Sequence, residues 1–182
     1  MSEATSSSQW LQQDFFTLFG LHRIYALNMD DLDSRYRGIQ ARVHPDRHAH
    51  LSDAERRVAM QWATHVNEAY QTLRSPSHRA LYLLQLAGRP MALEDNTAMS
   101  AEFLMIQMEW REAVDEARHA HDIDGLDSLH RRLVREIKGR QAELGHALDA
   151  PDYDQAEESL RRLMFEEKLL QEIDRAIEAV EA

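Results

Sequence analysis

The sequence predicts an all-α protein in two modules, a helical hairpin unit followed by an antiparallel three-helix bundle. Two observations carry that expectation. Apolar residues recur at steps of three and four along most of the chain, and no stretch alternates over a useful length, so helices are expected and a sheet is not. Charge is unevenly divided: residues 1–93 hold 10 basic and 9 acidic side chains, whereas residues 94–182 hold 11 basic and 23 acidic. Such an asymmetry suggests two modules with different partners. At 182 residues the chain can form one domain or two small ones, and 43% hydrophobic with 29% charged residues is the balance of a soluble globular protein.

Met1 to Gln9 is Ser-rich, with neither an apolar core nor an Arg-rich amphipathic pattern. Residues 1–11 are therefore expected to be a disordered leader rather than a signal or transit peptide, and the protein to be cytoplasmic. Asp14 caps a short helix carrying Phe15, Phe16, Leu18 and Phe19, and Gly20 stops it. So many aromatics in one short segment indicate core. Asp30 or Asp31 opens the next helix, where Leu32, Tyr36, Ile39 and Val43 are spaced by four, three and four. Ser52 and Glu55 form a capping box for a helix over about 53–73, with Val58, Trp62, Val66, Ala69 and Leu73 as its stripe. Ser75-Pro76 restarts a helix carrying Leu81, Leu83, Leu84 and Leu86, which stops at Gly88. These elements form the first domain, 12–88. Residues 89–99 contain Pro90 and Asn96 without a clean period and are read as a linker.

The second domain, 100–182, begins with Ser100 capping a helix to about His121, and Asp124 opens another to about His146. Asp149 to Asp152 turns the chain into the last helix, with Pro151 near its first position. Leu126, Leu129, Leu133, Ile137 and Leu144 make one stripe; Ala156, Leu160, Leu163, Leu170, Ile173 and Ile177 make another. One apolar stripe per helix is the requirement of a three-helix bundle.

Between the hairpin helices stand His44, Pro45 and Asp46. Pro45 fixes its own φ, removes a donor and drives His44 out of the helical region, so helix must break here. A loop displaying an imidazole and a carboxylate results. Arg35 and Arg42, seven apart, share one side of the preceding helix, and Arg47 follows directly.

The helix over 100–121 carries more apolar residues than its core stripe needs. Phe103, Trp110, Val114 and Ala117 already complete one side. Leu104, Met105 and Met108 point away from it, and Glu109, Glu112 and Glu116 continue that far side. Phe165 on the last helix lies roughly opposite its own stripe. Spacing leaves two readings open: the first domain packs over this face, or a partner does.

A His-Pro-Asp loop between antiparallel helices, beside a basic helix face, resembles a J-domain. The stretches Asp14 to Leu21 (DFFTLFGL), Val66 to Arg74 (VNEAYQTLR) and Ala80 to Leu84 (ALYLL) resemble the HscB family of iron-sulfur assembly co-chaperones. The similarity spans nearly the whole chain. It implies that His44, Pro45 and Asp46, with Arg35, Arg37, Arg42 and Arg47, dock on a DnaK-type ATPase chaperone, HscA in this family. It also implies that the second domain holds the scaffold protein IscU. In the family, IscU docks through a Leu-Met-x-x-Leu/Met-Glu-x-x-Glu pattern, which here runs from Leu104 to Glu112, and an aromatic on the last helix matches Phe165. The scaffold-binding set is thus Leu104, Met105, Met108, Glu109, Glu112, Glu116 and Phe165. A different client protein is the alternative.

Several chemistries are set aside. The chain has no cysteine, which excludes disulfides, thiolate zinc sites and a cysteine-ligated cluster on the chain itself. His44, His48 and His50 read as solvated loop residues, because Pro45 prevents His44 and His48 from sharing a helix face. No segment approaches the roughly 20 apolar residues of a membrane span. Clustered excess Lys and Arg, which nucleic acid requires, are absent. No phosphate loop, nucleophile elbow or His-Glu-x-x-His is present. No enzyme activity, cofactor or metal is expected, and any ATP hydrolysis belongs to a partner.

Overall fold

The computed structural model describes residues 13–43, 52–91 and 100–181, the side chains of Arg42 and Val43 excepted. Seven helices and no strand occur among the described residues: α1 (Phe15–Leu18), α2 (Met29–Val43), α3 (Asp53–Arg74), α4 (Pro76–Leu86), α5 (Ala101–His119), α6 (Ile123–Asp149) and α7 (Tyr153–Glu181). The chain divides into two compact units, one ending at Leu83 and the next beginning at Leu84.

In the first unit Asp14 caps α1. Its Oδ1 accepts from the amides of Phe16 and Thr17, each at 3.1 Å, and its Oδ2 accepts from Thr17 Oγ1 at 2.6 Å and Arg23 at 2.8 Å. Burial opposes ionisation of this carboxyl, but the bonds from Arg23 and Thr17 outweigh it and hold its pKa at about 2. A depressed carboxylate stabilises the fold above its unfolded pKa, and that contribution disappears as pH falls through the folded value. Asp14→Asn is therefore expected to shrink the stability gap to the parent between about pH 4 and pH 2, as read by urea melts at each pH. A gap unchanged over that window would contradict the assignment.

Gly20 ends α1 with φ of 62°, a left-handed turn that glycine adopts without strain. Phe16 and Phe19 then bury against Leu32 of α2 and Val66, Ala69, Tyr70 and Leu73 of α3. Asn28 caps α2 through the Asp31 amide at 3.1 Å, so the helix opens slightly earlier than the sequence suggests, with Asp30 and Asp31 in its first turn.

Polar pairs fix α2 against α3. Tyr70 donates to Asp33 at 2.9 Å, Tyr36 donates to Asn67 at 2.8 Å, and Gln40 reaches the same Asn67 oxygen at 2.6 Å. Rising numbers on α2 meet level or falling numbers on α3, which is antiparallel pairing. The Tyr36 and Tyr70 rings stack at 4.0 Å between centroids. The Ser52–Glu55 capping box forms as expected. Burial on α3 nevertheless begins only at Val66: Val58 is 46% exposed and Trp62 partly buried. The apolar period continues past the point where α1 and α2 supply cover.

The second unit is the three-helix bundle. Ser100 caps α5 through the Phe103 amide at 3.2 Å. Asp122, rather than Asp124, caps α6 through the Gly125 amide at 2.9 Å, and α6 runs on to Asp149. Asp152 does the same for α7 at 3.3 Å, so Pro151 precedes the helix rather than opening it. Helices α6 and α7 are antiparallel, since His130 faces Asp174 while Arg140 faces Glu166. On α7 the buried line runs Ala156, Leu160, Leu163, Glu166, Leu169, Ile173 and Ala176. Leu170 and Ile177, expected on it, are only partly buried. Steps of three outnumber steps of four along that line, so it slews around the helix as two helices wind about each other. Arg89, placed by the sequence in the linker, is tied to α7 by Glu157 at 2.8 Å and by Asp154.

Candidate protein-docking sites

Helix α5 is turned as its two-sided pattern predicts. Phe103, Trp110 and Val114 are buried, while Leu104 is 44%, Met105 62% and Met108 69% exposed. Glu109, Glu112 and Glu116 are exposed along the same helix. A row of apolar side chains thus leads into a row of carboxylates on one 19-residue element. Such a surface suits a partner with an apolar patch bordered by positive charge.

Phe165 departs from expectation. It is partly buried, and its ring meets core Phe103 edge-on at 5.5 Å. The cause is crossing geometry: α7 brings Phe165 toward the side of α5 that holds Phe103. Arg111 stacks over the outer side of this pair, 5.7 Å from the Phe165 centroid. A cleft of about 310 Å³ opens beside it, lined by Phe103, Ile106, Glu109, Trp110 and Phe165. Ile106, a spacer in the sequence pattern, is itself exposed at the rim, and only the three-helix geometry reveals it.

Below the cleft lies Glu166, only 5% exposed. Its Oε1 accepts from Arg140 at 3.2 and 3.3 Å, and its Oε2 is buried without a partner. Burial raises the Glu166 pKa against the opposing pull of Arg140. Arg140→Met is expected to cost about 3–5 kcal/mol at neutral pH, because it strands a buried charge. The sign on acidification follows from the raised pKa. A raised carboxyl disfavours the fold above its folded pKa and ceases to do so below its unfolded one. The deficit should therefore narrow as pH falls toward the ordinary glutamate range. Urea unfolding at neutral and mildly acidic pH checks both parts, and a loss independent of pH would refute the role of Glu166.

In the first unit, Arg35 and Arg37 are the residues of the expected basic set whose side chains are described. Arg35 is held internally: Nε pairs with Asp31 at 2.8 Å and Nη1 donates to the carbonyls of Phe19 at 2.9 Å and Gly20 at 3.1 Å. It anchors the end of α1 to α2. Arg37 is exposed on α2. The Arg42 side chain and residues His44, Pro45, Asp46 and Arg47 lie outside the described residues. Among the described residues no cluster of three or more His, Cys, Asp or Glu could hold a metal, and no helix is long and apolar enough to cross a membrane.

A helical hairpin unit and a three-helix bundle define the class as an all-α protein of two units, with an apolar-to-acidic helix face exposed on the second. Known proteins make the class specific. A family model described as the HSCB C-terminal oligomerisation domain matches residues 99–174. A co-chaperone protein HscB homolog from Azoarcus sp. is 55% identical, covering 94% of this chain and 97% of that protein. One from Cupriavidus taiwanensis is 52% identical over the same shares. The solved chaperone HscB from Vibrio cholerae superposes with a TM-score of 0.85 at 36% identity, covering 92% of this chain and 99% of that one. The chain belongs to the HscB co-chaperone family. It is accordingly a co-chaperone and not an enzyme.

Proposed function

We propose that this co-chaperone delivers the iron-sulfur scaffold protein IscU to the DnaK-type chaperone HscA and stimulates its ATPase, assisting cluster assembly and transfer. The observation that carries the reading is the exposure of Leu104, Met105 and Met108 beside Glu109, Glu112 and Glu116. IscU docks on that face, with Phe165 and Arg111 at its margin. Residues 12–88 act as a J-domain whose His44-Pro45-Asp46 loop engages the ATPase. Pro45 limits the conformations the loop must give up on binding, and His44 and Asp46 supply polar contacts. Holding client and chaperone on one chain raises the effective concentration of one at the other. Residues 89–99 serve as the linker, and the protein works in the cytoplasm without cofactor, nucleic acid or membrane.

Two measurements test this directly. Titration calorimetry should detect binding of IscU, and HscA turnover should rise when the chain is added, further when IscU is present. Absence of both effects overturns the reading. Stimulation without IscU binding would favour a J-domain co-chaperone for a different client.

Steering is expected to come from Arg37, Arg42 and Arg47 more than from Arg35, which is engaged by Asp31 and the end of α1. Arg37→Glu with Arg42→Glu should slow association with HscA about tenfold or more at low salt and flatten its salt dependence. Stopped-flow binding across a salt series reads this out, and an unchanged association rate would place the docking face elsewhere.

A further inference from the structure

We propose that Met105 and Met108 form an oxidation-sensitive modification site that controls the α5 docking face. The inference rests on the reading of that face as the IscU contact. The chain has no cysteine, so all of its side-chain sulfur is in eight methionines. These are not equivalent. Met105 and Met108 are 62% and 69% exposed, whereas Met29 and Met164 are partly buried. Met60, 63% exposed, sits on α3, far in sequence from this face. Met105 and Met108 are one helical turn apart and follow Leu104, so two of the three large apolar side chains there are thioethers.

The reaction is oxygen-atom transfer from a hydroperoxide. A sulfur lone pair attacks one peroxide oxygen, the O–O bond breaks, and an S–O bond forms. Sulfur is oxidised by two electrons to the sulfoxide, and the peroxide is reduced to water or an alcohol. The product is a polar acceptor on a side chain that had been apolar. Of the side chains one turn along, Leu104, Glu109 and Glu112 offer no donor, and Arg111 is stacked over Phe165. A sulfoxide on this face is a strong acceptor that an apolar partner patch would bury without a hydrogen bond, which opposes docking. The change is reversible, because methionine sulfoxide reductases restore the thioether.

The test uses the full chain treated with dilute hydrogen peroxide. Peptide mass mapping should find Met105 and Met108 oxidised well before Met29 and Met164. Calorimetry against IscU should then show at least tenfold weaker binding, recovered after treatment with methionine sulfoxide reductases. Met105→Leu with Met108→Leu, measured against its own untreated affinity, should lose none of it after peroxide, although Met60 is still oxidised. Unchanged affinity of the oxidised parent, an equal loss in the leucine variant, or no preference for Met105 and Met108 in the mapping overturns the inference. No IscU binding by untreated protein would overturn the docking reading and this inference with it, an outcome distinct from the other three.

Discussion

HscA ATPase stimulation is expected to fall to the basal rate when His44 is replaced by Gln, with the helical content of the chain unchanged. Pro45 makes the loop a helix break whatever residue precedes it, so the substitution leaves the backbone constraint in place. The hairpin does not depend on His44 either. Its helices are joined by Tyr70–Asp33, Tyr36–Asn67 and the stacked Tyr36 and Tyr70 rings. What is lost is the His44 side chain, and with it a polar contact proposed to engage the ATPase. Turnover assays and circular dichroism on one preparation check both halves. Full stimulation by the variant would remove His44 from the mechanism.

The second large effect is expected at the other end of the chain. Leu104→Ala with Met108→Ala should weaken IscU binding about 30-fold or more, each lost anchor costing upwards of about 1 kcal/mol. Stability should change little, because both side chains are exposed and surface substitutions usually fall within about 0.5 kcal/mol. Buried Leu or Met to Ala changes would instead cost about 2–5 kcal/mol. Stimulation of HscA measured without IscU should survive, since the hairpin unit is untouched. Phe165→Ala belongs in a separate sample. Its ring touches core Phe103, so binding and melting temperature are expected to fall together. A pronounced drop in melting temperature for the Leu104 and Met108 pair would mean that the face is covered within the protein itself.

The sequence was most legible where a signal is local. Asp14, Ser52 with Glu55, and Ser100 cap the helices they were expected to cap, and Gly20 and Gly88 end theirs with positive φ. The two-sided pattern of α5 also survived, because over 19 residues a wheel at 100° per residue drifts little. Over the 29 residues of α7 the drift accumulates, which is why Leu169 and Ala176 displaced Leu170 and Ile177 from the core. Cross-helix partners left no periodic trace at all. The clamp of Arg35 on the Phe19 and Gly20 carbonyls depends on how α1 lies against α2, and Arg111 over Phe165 depends on how α5 crosses α7. Val58 was misassigned for a related reason: an apolar period says which side of a helix is greasy, not how far along it cover extends.

The division between Leu83 and Leu84 bears on ligand-linked melting. Each unit closes its own core, around Phe16, Leu32 and Leu73 in one and around Leu133, Leu160 and Leu163 in the other. A chain of two compact units is not bound to unfold in one step. A partner at 100 times its dissociation constant adds about 2.7 kcal/mol to the folded form that binds it. That increment belongs to the block carrying the site, so HscA and IscU would raise different portions of the same melting curve. A melting curve recorded with each proposed partner would thus report which unit carries its site.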